Sequence, residues 1–257
     1  MDARILELKR RARDLAASRP QPAFSMDCAE EINHATGLFF DHPMMQRLQS
    51  DALGFLNEPC GLGVEHGKRV AIDAAAIILA EPSGLATDGR RRLALLAEMA
   101  GLLHDALRYE DDHAEKGADL CLRILRGYAL SPEERLFIAQ AVALHESPLP
   151  LSDDGPEAAR LLAGAVHDAD SFRYGPDIFA TTLWELCECD EWPLEDIARK
   201  FPEGPRLAAR LVQSFRTVQG CRYGPELISE GLSLAEEYQR MLGRALAPAA
   251  APNPSRT

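Results

Sequence analysis

The chain has 257 residues, 46% of them hydrophobic, and a formal net charge of −12. That is enough for one large domain or two small ones with a full apolar core. The acidic balance speaks against a nucleic-acid polymer or an anionic membrane as main partner, though not against a local basic pocket for a small anion.

No apolar run reaches the roughly 18 residues of a spanning helix, and Met1 to Pro20 lacks a signal peptide's apolar core. Cys28, Cys60, Cys121, Cys187, Cys189 and Cys221 form no C-x-x-C pair. Free thiols and a cytoplasmic setting are expected.

In chain order, residues 2–18 read as a helix stopped by Pro20 and Pro22. Residues 25–60 hold a short helical piece and a second one from Pro43 to Leu56. His34 and His42 lie there outside any ligand pattern and read as surface or packing residues. Residues 64–81 predict a strong helix, with His66 one turn before Val70 on the apolar stripe. The next helix carries Leu93, Leu96, Ala97, Ala100, Leu103 and His104 on one face, so His104 extends a buried stripe. A buried imidazole without a partner costs a few kcal/mol, so something should bind it.

Asp111 or Asp112 is placed to cap a helix from His113 to about Arg126. Ser131-Pro132-Glu133-Glu134 has the pattern of a capping box, and His145 ends the apolar face of the helix that follows. In the next helix, from Glu157 to Ala169, Asp168 shares a face with Leu161 and Ala165. Helices over 176–189, 193–200, 204–218 and 225–246 follow, and the Ala/Pro-rich tail 247–257 is expected to be disordered. Arg-Tyr-Gly-Pro occurs at 173–176 and again at 222–225, and reads as a reused helix-boundary signal. No segment alternates as a strand would, so the fold class is all-α.

His66, His104, Asp105, His113, His145 and Asp168 are therefore inward-facing polar residues at or near the ends of five helices. All are nitrogen or oxygen ligands suited to divalent metals. Asp105 has a second oxygen to spare and can bridge two ions.

The stretches Glu65-His66, His104-Asp105-Ala106-Leu107-Arg108, His113-Ala114-Glu115-Lys116-Gly117-Ala118, Ala141-Val142-Ala143-Leu144-His145 and His167-Asp168-Ala169-Asp170 follow the order H…HD…H…H…D. Over residues 60–175 the chain resembles the HD-domain superfamily. The resemblance implies a helical bundle with flanking N- and C-terminal helices: a single domain over 1–246 with its core at about 60–175. It further implies two divalent ions (Fe, Mn, Mg, Ni or Co). His66, His104, Asp105 and Asp168 would hold one ion; Asp105, His113 and His145 would hold the other.

The family's Asp-Ala-Asp favours Asp168 over Asp170 as the ligand. Asp170 is then expected to orient a neighbour or stay exposed, and His167 to support the site or lie at the surface. Arg108 stands where the family commonly has lysine. It keeps the charge but changes the geometry.

The implied activity is phosphohydrolysis by a metal-activated water, with Asp105 and Arg108 central to catalysis. Arg108, with Lys68, Arg69 or Arg173, would steady a small phosphate-containing substrate. For Lys68 and Arg69 a solvated helix face is the competing reading. Rival functions are an HD-type di-iron oxygenase and a nucleotide-binding module without turnover. The segments outside 60–175 are expected to complete the bundle, roof the pocket or make a homodimer contact. A Gly-Tyr-Pro tripeptide is absent, which disfavours cyclic-di-GMP as substrate.

Overall fold

The computed structural model describes residues 2–56, 62–147, 151, 154–184, 187 and 191–247. They form an all-α fold, with no strand among them. The first four helices are α1 (Ala3–Ala17), α2 (Ala23–Asp27), α3 (Ala29–Asp41) and α4 (Pro43–Leu56). The central ones are α5 (Leu62–Ala80), α6 (Thr87–Leu103), α7 (His113–Ile124), α8 (Pro132–Leu144) and α9 (Glu157–Phe172). A π-helical segment at Ile178–Thr182 leads to α10 (Leu194–Lys200), α11 (Glu203–Leu211) and α12 (Val218–Leu246).

Local chemistry sets several of these boundaries. Ser131 Oγ accepts from Glu134 N at 3.1 Å and the Glu134 carboxylate accepts from Ser131 N at 2.7 Å, closing the expected capping box at α8. Asp112 occupies the position before α7, but by a different device from the one expected. Its backbone is left-handed (φ 56°) and its side chain makes no capping bond.

The main core lies where α5 packs along α6, α9 and α3, with α7 and α8 closing the far side. Small residues make the α5–α6 approach close: Ala71, Ala74 and Ala75 face a helix carrying Ala97, Ala100 and Gly101. A Cβ on Gly101 would lie 2.7 Å from the Ala71 Cα, so only glycine permits this spacing. Each fully buried Leu, Ile or Phe contributes roughly 1.5–3 kcal/mol to such a core.

A second apolar cluster joins Ile5, Leu8 and Ala12 of α1 to Phe179, Trp184, Ile197, Tyr238 and Leu242. Tyr238 Oη donates to the Ala12 carbonyl at 2.6 Å. The long helix α12 serves both clusters, with Tyr223 and Leu227 in the first and Leu234 to Leu242 in the second.

Helix α12 departs from the sequence expectation. It starts at Val218 and runs through Pro225, whereas a helix starting at Pro225 was expected. The helix expected over 204–218 ends at Leu211. Proline is tolerated eight residues into α12, and Gly224 before it leaves room for Phe215, whose ring would meet a Cβ at 2.1 Å. Of the tail 247–257, expected to be disordered, residues 248–257 lie outside the described residues.

Candidate metal centre

Five helix ends converge on one cluster. His66 lies early in α5, and His104 and Asp105 directly follow α6. His113 opens α7, His145 directly follows α8, and Asp170 lies in the last turn of α9. The close approach at Gly101 brings His66 and His104 together, with their Nε2 atoms 3.1 Å apart. The four imidazoles form a row: ring centroids are 5.0 Å apart for His66–His104 and His104–His145, and 5.5 Å for His113–His145.

Two of these rings are oriented by the same device. A helix that stops leaves carbonyls without an amide partner. His104 Nδ1 donates to Gly101 O, and His145 Nδ1 donates to Val142 O, each at 2.7 Å. The proton on Nδ1 then fixes Nε2 as the atom facing the cluster, where it can offer a lone pair to a cation. His145 Nε2 and His113 Nε2 are buried without a hydrogen-bond partner. Unsatisfied buried nitrogens of this kind need a ligand to offset their desolvation.

Asp105 divides its two oxygens between two histidine pairs. Oδ2 lies 3.7 Å from His66 Nε2 and 3.6 Å from His104 Nε2. Oδ1 lies 3.6 Å from both His113 Nε2 and His145 Nε2. Asp170 Oδ1 adds to the first pair, at 3.1 Å from His66 Nε2 and 3.7 Å from His104 Nε2. Ligands about 2.1 Å from a common ion stand roughly 3–4 Å from each other, so the trios His66–His104–Asp105 and Asp105–His113–His145 each fit a divalent ion, as does His104–His145–Asp170 across the two pairs.

The electrostatics favour positive charge here. Burial opposes ionisation of Asp105, yet the neighbouring His104 and His145 hold its carboxyl far below the usual range. Asp170 likewise falls to about 2, its burial overcome by His66 and His104. Burial works against a proton on His145, but Asp105 and Asp170 outweigh it and lift that imidazole to about 9. His104, fully buried, drops to about 4. The cluster thus attracts a cation, and a proton at His145 competes with a metal ion for the same place.

The structure corrects the expectation for Asp168. Its carboxylate points away from the histidines into the loop before α12. There it accepts from Arg216 N (2.9 Å), Thr217 N (2.8 Å) and Thr217 Oγ1 (2.7 Å). Glu81 completes this end of α12 by accepting from Val218 N (2.8 Å) and Gln219 N (3.1 Å). Two carboxylates at a helix N-terminus satisfy its free amides and oppose its dipole. Gly220 is required for this latch, because a Cβ there would lie 2.0 Å from Asp168 Oδ2. The carboxylate that stands beside His66 and His104, where Asp168 was expected, is that of Asp170.

Three of the expected phosphate-binding cations are engaged elsewhere. Arg173 is paired with Asp73 and with Asp177. Lys68 pairs with Glu65, one turn earlier on α5. Arg69 also turns to Asp177, at 3.3 Å. Arg108 remains at the cluster, its Nη1 3.8 Å from Asp105 Oδ2. His34 is exposed, and His42 caps α3 and accepts from Met44 N through Nδ1.

Glu146 and Tyr174, at the cluster, carried no assignment from the sequence, whereas His167 was expected to support the site or lie at the surface. Glu146 Oε2 lies 3.3 Å from His113 Nε2. Tyr174, raised to about 12 by burial and by Asp170, Glu146 and Asp105, keeps its proton and can donate a hydrogen bond. His167 sits behind the cluster, bridging the carbonyls of His145 (2.6 Å) and Ser214 (3.1 Å).

No family model, curated protein or solved structure matches this chain.

Proposed function

We propose that the chain is a metal-dependent phosphohydrolase of HD type, acting on a small phosphate ester or nucleotide with two divalent ions sharing Asp105. The observation that carries this reading is the division of the Asp105 oxygens between the His66–His104 and His113–His145 pairs. Bound there, divalent ions would lower the pKa of a water and polarise a phosphoryl oxygen.

The chain's own residues supply the rest. Gly101 O and Val142 O lock the tautomers of His104 and His145. Asp170 adds a second negative charge beside His66 and His104. Arg108 brings a guanidinium to the edge of the cluster, suited to pair with phosphate oxygens. Tyr174, kept protonated by burial and by Asp170, Glu146 and Asp105, offers a phenol that can donate a hydrogen bond. The described cysteines Cys28, Cys121, Cys187 and Cys221 are free thiols, in keeping with a reducing, cytoplasmic setting. No helix among the described residues is long and apolar enough to cross a membrane.

The test is phosphate release from nucleoside phosphates and an aryl phosphate by protein loaded with Mn²⁺ or Co²⁺. Release that is abolished by a chelator and by Asp105→Ala is expected. Oxygen consumption by an iron-loaded form with no phosphate release would replace the hydrolase reading with the oxygenase one. Tight nucleotide binding without turnover would replace it with the sensory module.

A further inference from the structure

The two ligand groups are unequal. Asp105 Oδ2 and Asp170 Oδ1 each stand within 3.1 to 3.7 Å of both His66 Nε2 and His104 Nε2, so two carboxylates face the first histidine pair. His113, His145 and Asp105 Oδ1 form the other group of three, and its only anion, Asp105, is shared. On this second side His145, 1% exposed, aims a buried Nε2 that has no hydrogen-bond partner, and the Nε2 of His113 is in the same state.

Glu146 is the next residue after His145, and its carboxylate reaches this position. Oε2 stands 3.3 Å from His113 Nε2 and Oε1 stands 4.0 Å from His145 Nε2. We infer that Glu146 is the fourth side-chain ligand of the second ion, giving that position a carboxylate of its own. The inference rests on the dinuclear reading above and deepens it.

The backbone around Glu146 is held as a ligand-bearing turn would be. The Arg216 guanidinium donates to the carbonyls of Leu144 and Ser147, on either side of it. His167 Nδ1 donates to the carbonyl of His145. Arg216 and the adjoining Thr217 are in turn fastened to Asp168. A turn clamped at three consecutive or near-consecutive carbonyls fixes the direction in which residues 145 and 146 project. The side chain itself is 58% exposed and lies at the rim. A hard carboxylate oxygen beside two imidazoles is a mixed donor set that suits Mn²⁺, Fe²⁺, Co²⁺ or Zn²⁺.

The test is calorimetric titration of metal-free protein with Mn²⁺ or Co²⁺, for the wild type and Glu146→Gln. Co²⁺ absorption bands give a second readout independent of activity. The exposed position of Glu146 makes loss of folding by Glu146→Gln unexpected, and circular dichroism checks it. Glu146→Gln is expected to keep the first ion at wild-type affinity and to weaken the second by at least about tenfold, with altered Co²⁺ bands. Both ions bound by Glu146→Gln at wild-type affinity, with unchanged bands, would overturn the inference. Wild-type protein that takes up two ions yet releases no phosphate defeats the proposed activity alone and leaves the role of Glu146 standing.

Discussion

The two aspartates of Asp168-Ala169-Asp170 have separate tasks. They are two residues apart on a helix, about 200° round its axis, so they face different neighbours. Asp170 Oδ1 stands beside His66 and His104, whereas Asp168 holds Arg216 and Thr217 at the start of α12. Asp170→Asn is therefore expected to weaken binding of one metal ion by about 10-fold or more with little change in melting temperature. Asp168→Asn is expected to cost about 1–3 kcal/mol of stability, because it removes charge from an acceptor of several buried donors. Metal titration together with thermal unfolding separates them, and an Asp168→Asn protein that loses a metal ion but no stability would reverse the assignment.

At the scale of elements, the helix periods placed His66, His104 and His145 on inward faces, with Asp105 brought in by its place next to His104 and His113 by its place at the start of a helix. The choice within α9 could not be read that way. That helix is buried continuously from Leu162 to Ala169, so its apolar stripe does not single out one inward side. The Asp168 latch needs the loop before α12, which is distant in sequence, and the one local trace of it is Gly220. The substrate cations were illegible for a similar reason, since Arg173 and Lys68 are claimed by Asp73, Asp177 and Glu65.

Helix α6 carries a different feature that its sequence concealed. Glu98 is fully buried and its carboxyl has no hydrogen-bond partner, and burial raises it to about 9. An acid whose folded value is raised is neutral in the folded protein and ionised in the unfolded chain above its ordinary value of about 4.3. Its contribution is fully present below about pH 4.3 and is lost as pH rises through about 9, by about 1.4 kcal/mol per pH unit for one proton. Glu98→Met should thus stabilise the protein more at pH 8 than at pH 5. Denaturant unfolding at the two pH values checks this. An equal difference at both would show that Glu98 is not held neutral.

For the whole molecule, the pattern of sequence breaks and helical periods was enough to establish an all-α chain. The role of α12 was less visible, because Pro225 reads as a helix start while the structure carries the helix through it. That continuity lets α12 tie the apolar cluster of α1 to the bundle that holds the histidines. Its N-terminal latch also reaches the histidine cluster, through Arg216 to the turn around Glu146. The arrangement as a whole gathers side chains from α5 to α9 around Asp105, and such a gathering of lone pairs and negative charge is stable when cations hold it together. Elemental analysis of the purified protein, prepared without chelator and compared with Asp105→Ala, tests this most directly. Two divalent ions per chain in the wild type and their loss from Asp105→Ala is the expected result. A wild-type chain that neither carries nor takes up divalent metal, or an Asp105→Ala chain that keeps both ions, would contradict it.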